Sequence, residues 1–200
     1  MDFYNRQESL GLNTDKVVVV IGAGGIGMNA ALQLAMAGTR KLYIFDDDTI
    51  ETHNLNRLPV PASFTGKNKA ETTATFIEQM RPEGEGVEVK HFPFKFNPDV
   101  IDLDEVTNIL DCTDVHEAQL NNQKIADDNK INYFKAGYDG FSISLNNRVG
   151  EWDTGETPDG YQITPSYCVP AIVIASLAVH KVLTDSDIEM GCQVKDLFVR

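Results

Sequence analysis

Lys16-Val17-Val18-Val19-Val20-Ile21-Gly22-Ala23-Gly24-Gly25-Ile26-Gly27 decides the fold of this chain. A β-branched run with no polar alternation is the pattern of a strand buried on both faces of a parallel sheet, which helices then cover on both sides. The run ends in G-x-G-x-x-G. Met28 to Ala37, rich in Ala and Leu and closed by Gly38, predicts the helix that follows. Leu42 to Phe45 predicts a second strand ending in Asp46-Asp47-Asp48, so residues 16–48 form one βαβ unit.

The same pattern continues outward. Lys67 to Met80 predicts a helix stopped by Pro82, and Val87 to Phe92 and Val106 to Asp111 predict strands. A polar-faced helix is expected over Glu117 to Asn129 and a strand over Asn132 to Ala136, ended by Gly137. Phe141, Ile143 and Leu145 alternate with period two, which predicts an antiparallel extension. A surface loop from Asp153 to Thr164, an apolar helix from Val169 to Leu183 and a last strand from Gln193 to Val199 complete the reading. The expected fold is α/β: a Rossmann-like, doubly wound, mostly parallel sheet with helices on both faces and an antiparallel extension at its C-terminal side.

Seventeen Lys and Arg against 30 Asp and Glu give the 200 residues a net charge of −13. That argues against nucleic acid or an anionic membrane as partner, because both need clustered basic side chains. An apolar share of 42% is that of a globular chain. One domain is expected over 1–200: an N-terminal helix in 1–15, a nucleotide-binding core in 16–137, and the extension, loop and last helix in 138–200. Cys112, Cys168 and Cys192 form no CxxC pair and no even framework, which points to a reducing compartment. The first residues lack a secretory pattern, and Val169 to Val179 is shorter than the ~20 residues of a spanning helix. A cytoplasmic protein is expected.

A glycine turn between strand and helix lets backbone approach a phosphate, and the helix N-terminus meets it with N–H groups and a positive dipole end. Asp46 lies about 20 residues further on, at a strand end, where a dinucleotide-binding fold places its ribose acid. These features by themselves favour a nicotinamide or flavin enzyme. Asn54, Arg57, Lys69 and Asp114 shift the balance. Each alone reads as a solvated polar group; together at strand ends they suit a triphosphate, with Arg and Lys on its oxygens and a carboxylate for Mg²⁺.

Tyr4-Asn5-Arg6-Gln7, Gly22-x-Gly24-Gly25-x-Gly27, Asp46-x-Asp48-Thr49-Ile50, Asn54-Leu55-x-Arg57, Gly66-Lys67-x-Lys69-Ala70 and Leu110-Asp111-Cys112-Thr113-Asp114 follow one another in the order and spacing of the ThiF/MoeB family, which includes the adenylation domains of ubiquitin-activating enzymes. The chain resembles that family over residues 4 to about 148, and more loosely at Ala175-Ser176-Leu177. The resemblance implies ATP- and Mg²⁺-dependent adenylation of a carboxylate, usually the C-terminal Gly-Gly of a ubiquitin-like or sulfur-carrier protein. It assigns Gly22, Gly24, Gly25 and Gly27 to the nucleotide loop, Asp46 to the ribose, and Asp48 to the same site. Asn54, Arg57 and Lys69 match phosphate positions, Asp114 the magnesium-associated acid. Arg6 matches an arginine that reaches the neighbouring subunit's ATP, which implies a homodimer. Arg6, Arg57 and Asp114 are thereby the candidate catalytic residues.

Departures from the pattern narrow the expectation. The connection before the last helix is too short for an inserted thioester domain, and Cys168 falls at the helix start, so a buried apolar cysteine is favoured over a thioester nucleophile. Cys112 and Cys192 read as structural. No zinc is expected, because the two CxxC pairs of many relatives are missing and His53, His91, His116 and His180 are scattered. Val115 stands where relatives commonly have Asn, and Leu58 where Gln is frequent. A peptide or small carboxylate as substrate, an NAD-dependent oxidoreductase and a non-catalytic nucleotide-binding scaffold are the alternatives.

Overall fold

The computed structural model describes residues 3–80, 86–150 and 165–198. Seven strands, β1 (Val17–Ile21), β2 (Lys41–Phe45), β3 (Glu88–Phe92), β4 (Asn108–Asp111), β5 (Asn132–Asp139), β6 (Ser142–Asn146) and β7 (Met190–Gln193), join in one sheet of order β3-β2-β1-β4-β5-β6-β7. The pairings among β1 to β5 are parallel, and those of β5 with β6 and of β6 with β7 are antiparallel. Among the described residues four α-helices accompany them: α1 (Gly25–Met36), α2 (Lys69–Gln79), α3 (His116–Asn129) and α4 (Cys168–Thr184).

The alternation of β1 supplies two cores. Val18 and Val20 pack with α1, α2 and α4 on one face, and Val17, Val19 and Ile21 pack with Ala126 of α3 on the other. A strand buried on both faces has no use for polar side chains, which is why the run Val17–Ile21 reads as it does. The second face is only partly helical. Beside β2 and β3 it is closed by aromatic rings: Phe45 stacks on Phe92 at 4.4 Å and meets Phe96 edge-on at 5.1 Å. Ile101, Leu103 and Val106 extend this cover. Among the described residues no helix is long and apolar enough to cross a membrane.

The expected fold class is the one observed, with differences at element ends. Helix α1 begins at Gly25, inside the glycine motif, rather than at Met28. Strand β5 runs through Gly137 to Asp139, because Gly137 faces Ser144 on β6, whose Oγ would lie 3.1 Å from a β-carbon there. Phe141 is exposed rather than part of the alternation: the tight turn at Gly140, with φ of +54°, lifts it out of the pleat against Tyr167. The predicted last strand is displaced to Met190–Gln193, since β6 offers no partner beyond Ser142, and the chain turns into a 3-10 helix, Val194–Phe198. The helix expected within 1–15 is a turn over 3–7 and a 3-10 helix, Glu8–Leu10, ended at Gly11 with φ of +66°. The loop expected from Asp153 to Thr164 lies outside the described residues.

Candidate nucleotide site

Strand order reverses between β1 and β4, and the connections leaving their carboxyl ends go to helices on opposite faces. In open α/β sheets this is where a crevice opens for a ligand. The two connections touch: Cys112 N–H donates to the Ile21 carbonyl, and a β-carbon at Gly22 would lie 3.2 Å from the Cys112 oxygen.

Each glycine of the loop has its own reason. Gly22 has φ of +86°, where a side chain is strained. A β-carbon at Gly27 would fall 1.8 Å from the Gly22 oxygen, so this glycine seats α1 against the turn. Gly24 has open space on its β-carbon side. At Gly25 three elements converge, because a β-carbon there would lie 3.1 Å from Arg57 Cδ, 3.1 Å from Tyr138 Oη and 3.2 Å from Ala171 Cβ. No side chain caps the first turn of α1, which leaves its amides to a ligand or water.

Asp46 stands just past β2 and is buried. Its Oδ2 accepts the Ala23 N–H at 2.6 Å and its Oδ1 the Asp48 N–H at 2.8 Å. Burial pushes its carboxyl up, against the opposing pull of Lys69 and the two backbone donors. The carboxylate is thus fixed against the glycine loop, with acceptor capacity left for a hydroxyl. Lys69 opens α2 and is held by Asn68, whose Oδ1 caps the helix at Glu71 N while its Nδ2 donates to the Asp46 and Asp48 carbonyls. Lys69 Nζ lies 2.7 Å from Asp48 Oδ2, so the expected phosphate lysine is paired with an acid expected in the same site.

Asn54 is buried and makes a capping box with Glu51: its Oδ1 accepts the Glu51 N–H, and the Glu51 side chain accepts the Asn54 N–H. Its acceptor is committed to the turn, and only its amide N–H groups suit an anion. Arg57, at the end of that turn, donates from Nη1 to the His53 carbonyl and Asn56 Oδ1, both at 3.0 Å. Asn29 of α1, buried, donates to the Gly25 carbonyl at 2.7 Å and the Arg57 carbonyl at 3.2 Å, which joins the turn to the glycine loop.

Asp114 is exposed in the connection from β4 to α3. That connection is held by Asp111, fully buried, whose Oδ1 accepts from Thr113 N and Oγ1 and whose Oδ2 accepts from Asn122 Nδ2 and Tyr133 Oη. Asp114 carries a hard carboxylate oxygen, the donor type that Mg²⁺ takes alongside phosphates and water. Among the described residues, acidic side chains close enough to share a cation are Asp46, Asp47 and Asp48.

Arg6 is not brought to this crevice. It is exposed in the N-terminal turn, which docks on the far end of α1: Gln7 Nε2 donates to the Ala37 carbonyl, and the Tyr4 ring packs against Gly38. A helix of 12 residues separates that end from Gly24 by ~18 Å. Cys168 is exposed at the first position of α4, not buried as expected. Cys112 is half-buried, and burial together with Asp111 pushes its thiol up.

A sequence model described as the ThiF family matches residues 6–158. The chain belongs to the ThiF family. Among curated relatives, ubiquitin-like modifier-activating enzyme 5 of Drosophila virilis is 28% identical over 142 residues, 65% of this chain and 35% of that protein. Adenylyltransferase and sulfurtransferase UBA4 of Debaryomyces hansenii is 36% identical over 100 residues, 48% of this chain and 22% of that protein. The chain thus spans about a third or less of these relatives. Among solved structures, PaaA superposes with a TM-score of 0.70 at 25% identity, over 92% of this chain and 62% of that one. Escherichia coli MccB, crystallised with AMPCPP and MccA, gives 0.72 at 19% identity over 96% and 71%, a likeness of fold. Within this ThiF-family fold, Asn29, Asn68 and Tyr138 stand around the candidate site without having been singled out in the sequence; of these only Asn68 has a local signal, as a helix N-cap before Lys69.

Proposed function

We propose that this chain is an ATP-dependent adenylyltransferase that activates the C-terminal carboxylate of a ubiquitin-like or sulfur-carrier protein, or of a peptide. The observation that carries the reading is the convergence of Asp46, Lys69, Arg57 and the Asp114 connection on one glycine loop at the β1/β4 crevice. The names of the relatives point the same way. Asp46 holds the ribose, the α1 amides and Arg57 hold phosphate, and Lys69 exchanges Asp48 for phosphate oxygen. The acceptor's carboxylate oxygen attacks the α-phosphorus, the bond to the β-phosphate oxygen breaks, and pyrophosphate leaves. Chain groups only position and stabilise charge, so no protein nucleophile is consumed. Mg²⁺, when bound, neutralises charge between phosphate oxygens, and Asp114 would be its protein ligand. Arg6, remote from its own crevice, would serve the site of a second copy in a homodimer.

Pyrophosphate–ATP exchange with carrier proteins and peptides ending in Gly-Gly tests the reading. Exchange that depends on the acyl partner and disappears in Asp114→Ala is expected. Exchange that survives Asp114→Ala would overturn the site. A rise in NADH fluorescence without an ATP-induced thermal shift would restore the dinucleotide reading, which the glycine motif and Asp46 support. ATP binding without exchange across all partners would mark a scaffold.

A further inference from the structure

Tyr138 belongs to no motif in the sequence, yet its hydroxyl lies against Gly25, the first residue of α1. Tyr138 lies on β5 beyond the parallel pairing with β4, opposite Ile143 of β6, and its Oη shares the Gly25 face with the Arg57 stem and Ala171 of α4. Its hydroxyl pairs with the Ser166 side chain, and the Asn56 amide donates to the Ser166 carbonyl at 2.8 Å. Tyr138 is therefore set from one side by Arg57's turn and from the other by the residues entering α4.

The order of groups along the loop says what comes near it. A ribose hydroxyl at Asp46 lies beside Ala23, the residue whose N–H Asp46 accepts. The phosphate attached to that sugar then falls over the next residues, where Gly24 leaves open space and the α1 amides point out. The wall of that space on the Gly25 side is Arg57 and Tyr138. We propose that Tyr138 Oη donates a hydrogen bond to the α-phosphate of the bound nucleotide, a neutral donor beside the Arg57 charge. This rests on the nucleotide reading above and adds to it a contact at the phosphorus under attack. A phenol has one O–H and two acceptor positions, so Tyr138 can accept from a neighbouring hydroxyl and still donate its proton to the phosphate. Burial pushes the phenol up, with Arg57 and Ser166 opposing, and keeps that proton in place at neutral pH.

The test compares the wild-type chain with Tyr138→Phe, which keeps the ring and removes the donor. AMP and ATP affinities are measured by calorimetry, adenosine by competition, and folding by thermal melting. Tyr138→Phe is expected to melt within about 3 °C of the wild type, to bind AMP and ATP roughly tenfold more weakly and to bind adenosine unchanged. Equal AMP binding by both proteins overturns the assignment while leaving the nucleotide site intact. Equal loss for AMP and adenosine makes Tyr138 a structural support and also overturns it. A wild type that binds neither ATP nor AMP overturns the nucleotide reading, and the proposal with it.

Discussion

The Asp46 carboxylate accepts the Ala23 N–H at 2.6 Å, so the end of β2 is tied to the glycine loop that leaves β1. One side chain therefore shapes the loop and, in the function proposed, also receives the ribose. Its carboxyl is raised above the ordinary carboxylate value by burial, which fixes the sign of two pH effects. In the free protein the buried ion weighs against folding at neutral pH, and that cost fades as pH falls through the raised pKa. Nucleotide binding runs the other way, because it uses the ionised acceptor. ATP affinity is expected to fall with acid, starting at a higher pH than an ordinary aspartate would set. Asp46→Asn should flatten that profile and weaken binding by roughly 10- to 100-fold, since one amide N–H then faces an NH₂ group. Calorimetric titration across pH measures both.

Gly24→Ala and Gly27→Ala separate binding from folding. At Gly24, with φ of −78° and open space beyond, a methyl group costs the fold little but occupies the place of a phosphate. At Gly27 it collides with the Gly22 oxygen, and α1 or the turn has to move. Gly24→Ala is expected to keep its melting temperature and lose ATP affinity by at least about tenfold. Gly27→Ala is expected to lose about 3 kcal/mol or more of stability. Urea denaturation and ATP titration of both variants check the contrast.

At the opposite end of the sheet, Lys41 Nζ lies 2.7 Å from Glu105 and 3.0 Å from Glu88, and the Tyr43 hydroxyl donates to the same Glu105. Lys41 and Tyr43 hold the Glu105 carboxyl below its ordinary value, while Glu105 holds Lys41 above its own. The pair's contribution is present from neutral pH to the ordinary lysine range. It is lost as pH falls through Glu105's depressed pKa, and again as pH rises through that of Lys41. Glu105→Gln is expected to cost about 1–2 kcal/mol at pH 7, with the two unfolding curves converging in acid. Denaturation at pH 7 and pH 3 measures this.

How far the sequence reveals this protein follows from what each residue answers to. The Val17–Ile21 run and the glycine motif answer to local rules of burial and turn geometry, and these also place the fold class and the crevice. The ends of elements answer to partners elsewhere: β5 passes Gly137 because Ser144 is opposite, and the last strand stops where β6 runs out. Charged site residues carry a motif signal. Asn29 and Tyr138 do not, because they gain their meaning only from neighbours far along the chain. Arg6 shows the converse, a motif residue that the fold of one chain leaves away from the crevice.

Asn29 gives the sharpest test of that dependence. Its amide donates to the Gly25 and Arg57 carbonyls, one from the glycine loop and one from the turn that carries the guanidinium. Removing the side-chain donor takes this bond from the Arg57 carbonyl and unties the turn from the loop, while the Gly25 carbonyl stays within the first turn of α1. Asn29→Ala is expected to cost about 1–3 kcal/mol in urea denaturation. It should also weaken ATP by more than Arg57→Ala does alone if the loop itself shifts, and by the same factor if Arg57 alone is displaced. The double variant decides: in the second case Asn29→Ala adds nothing to Arg57→Ala in ATP affinity, because the only group it positioned has already gone.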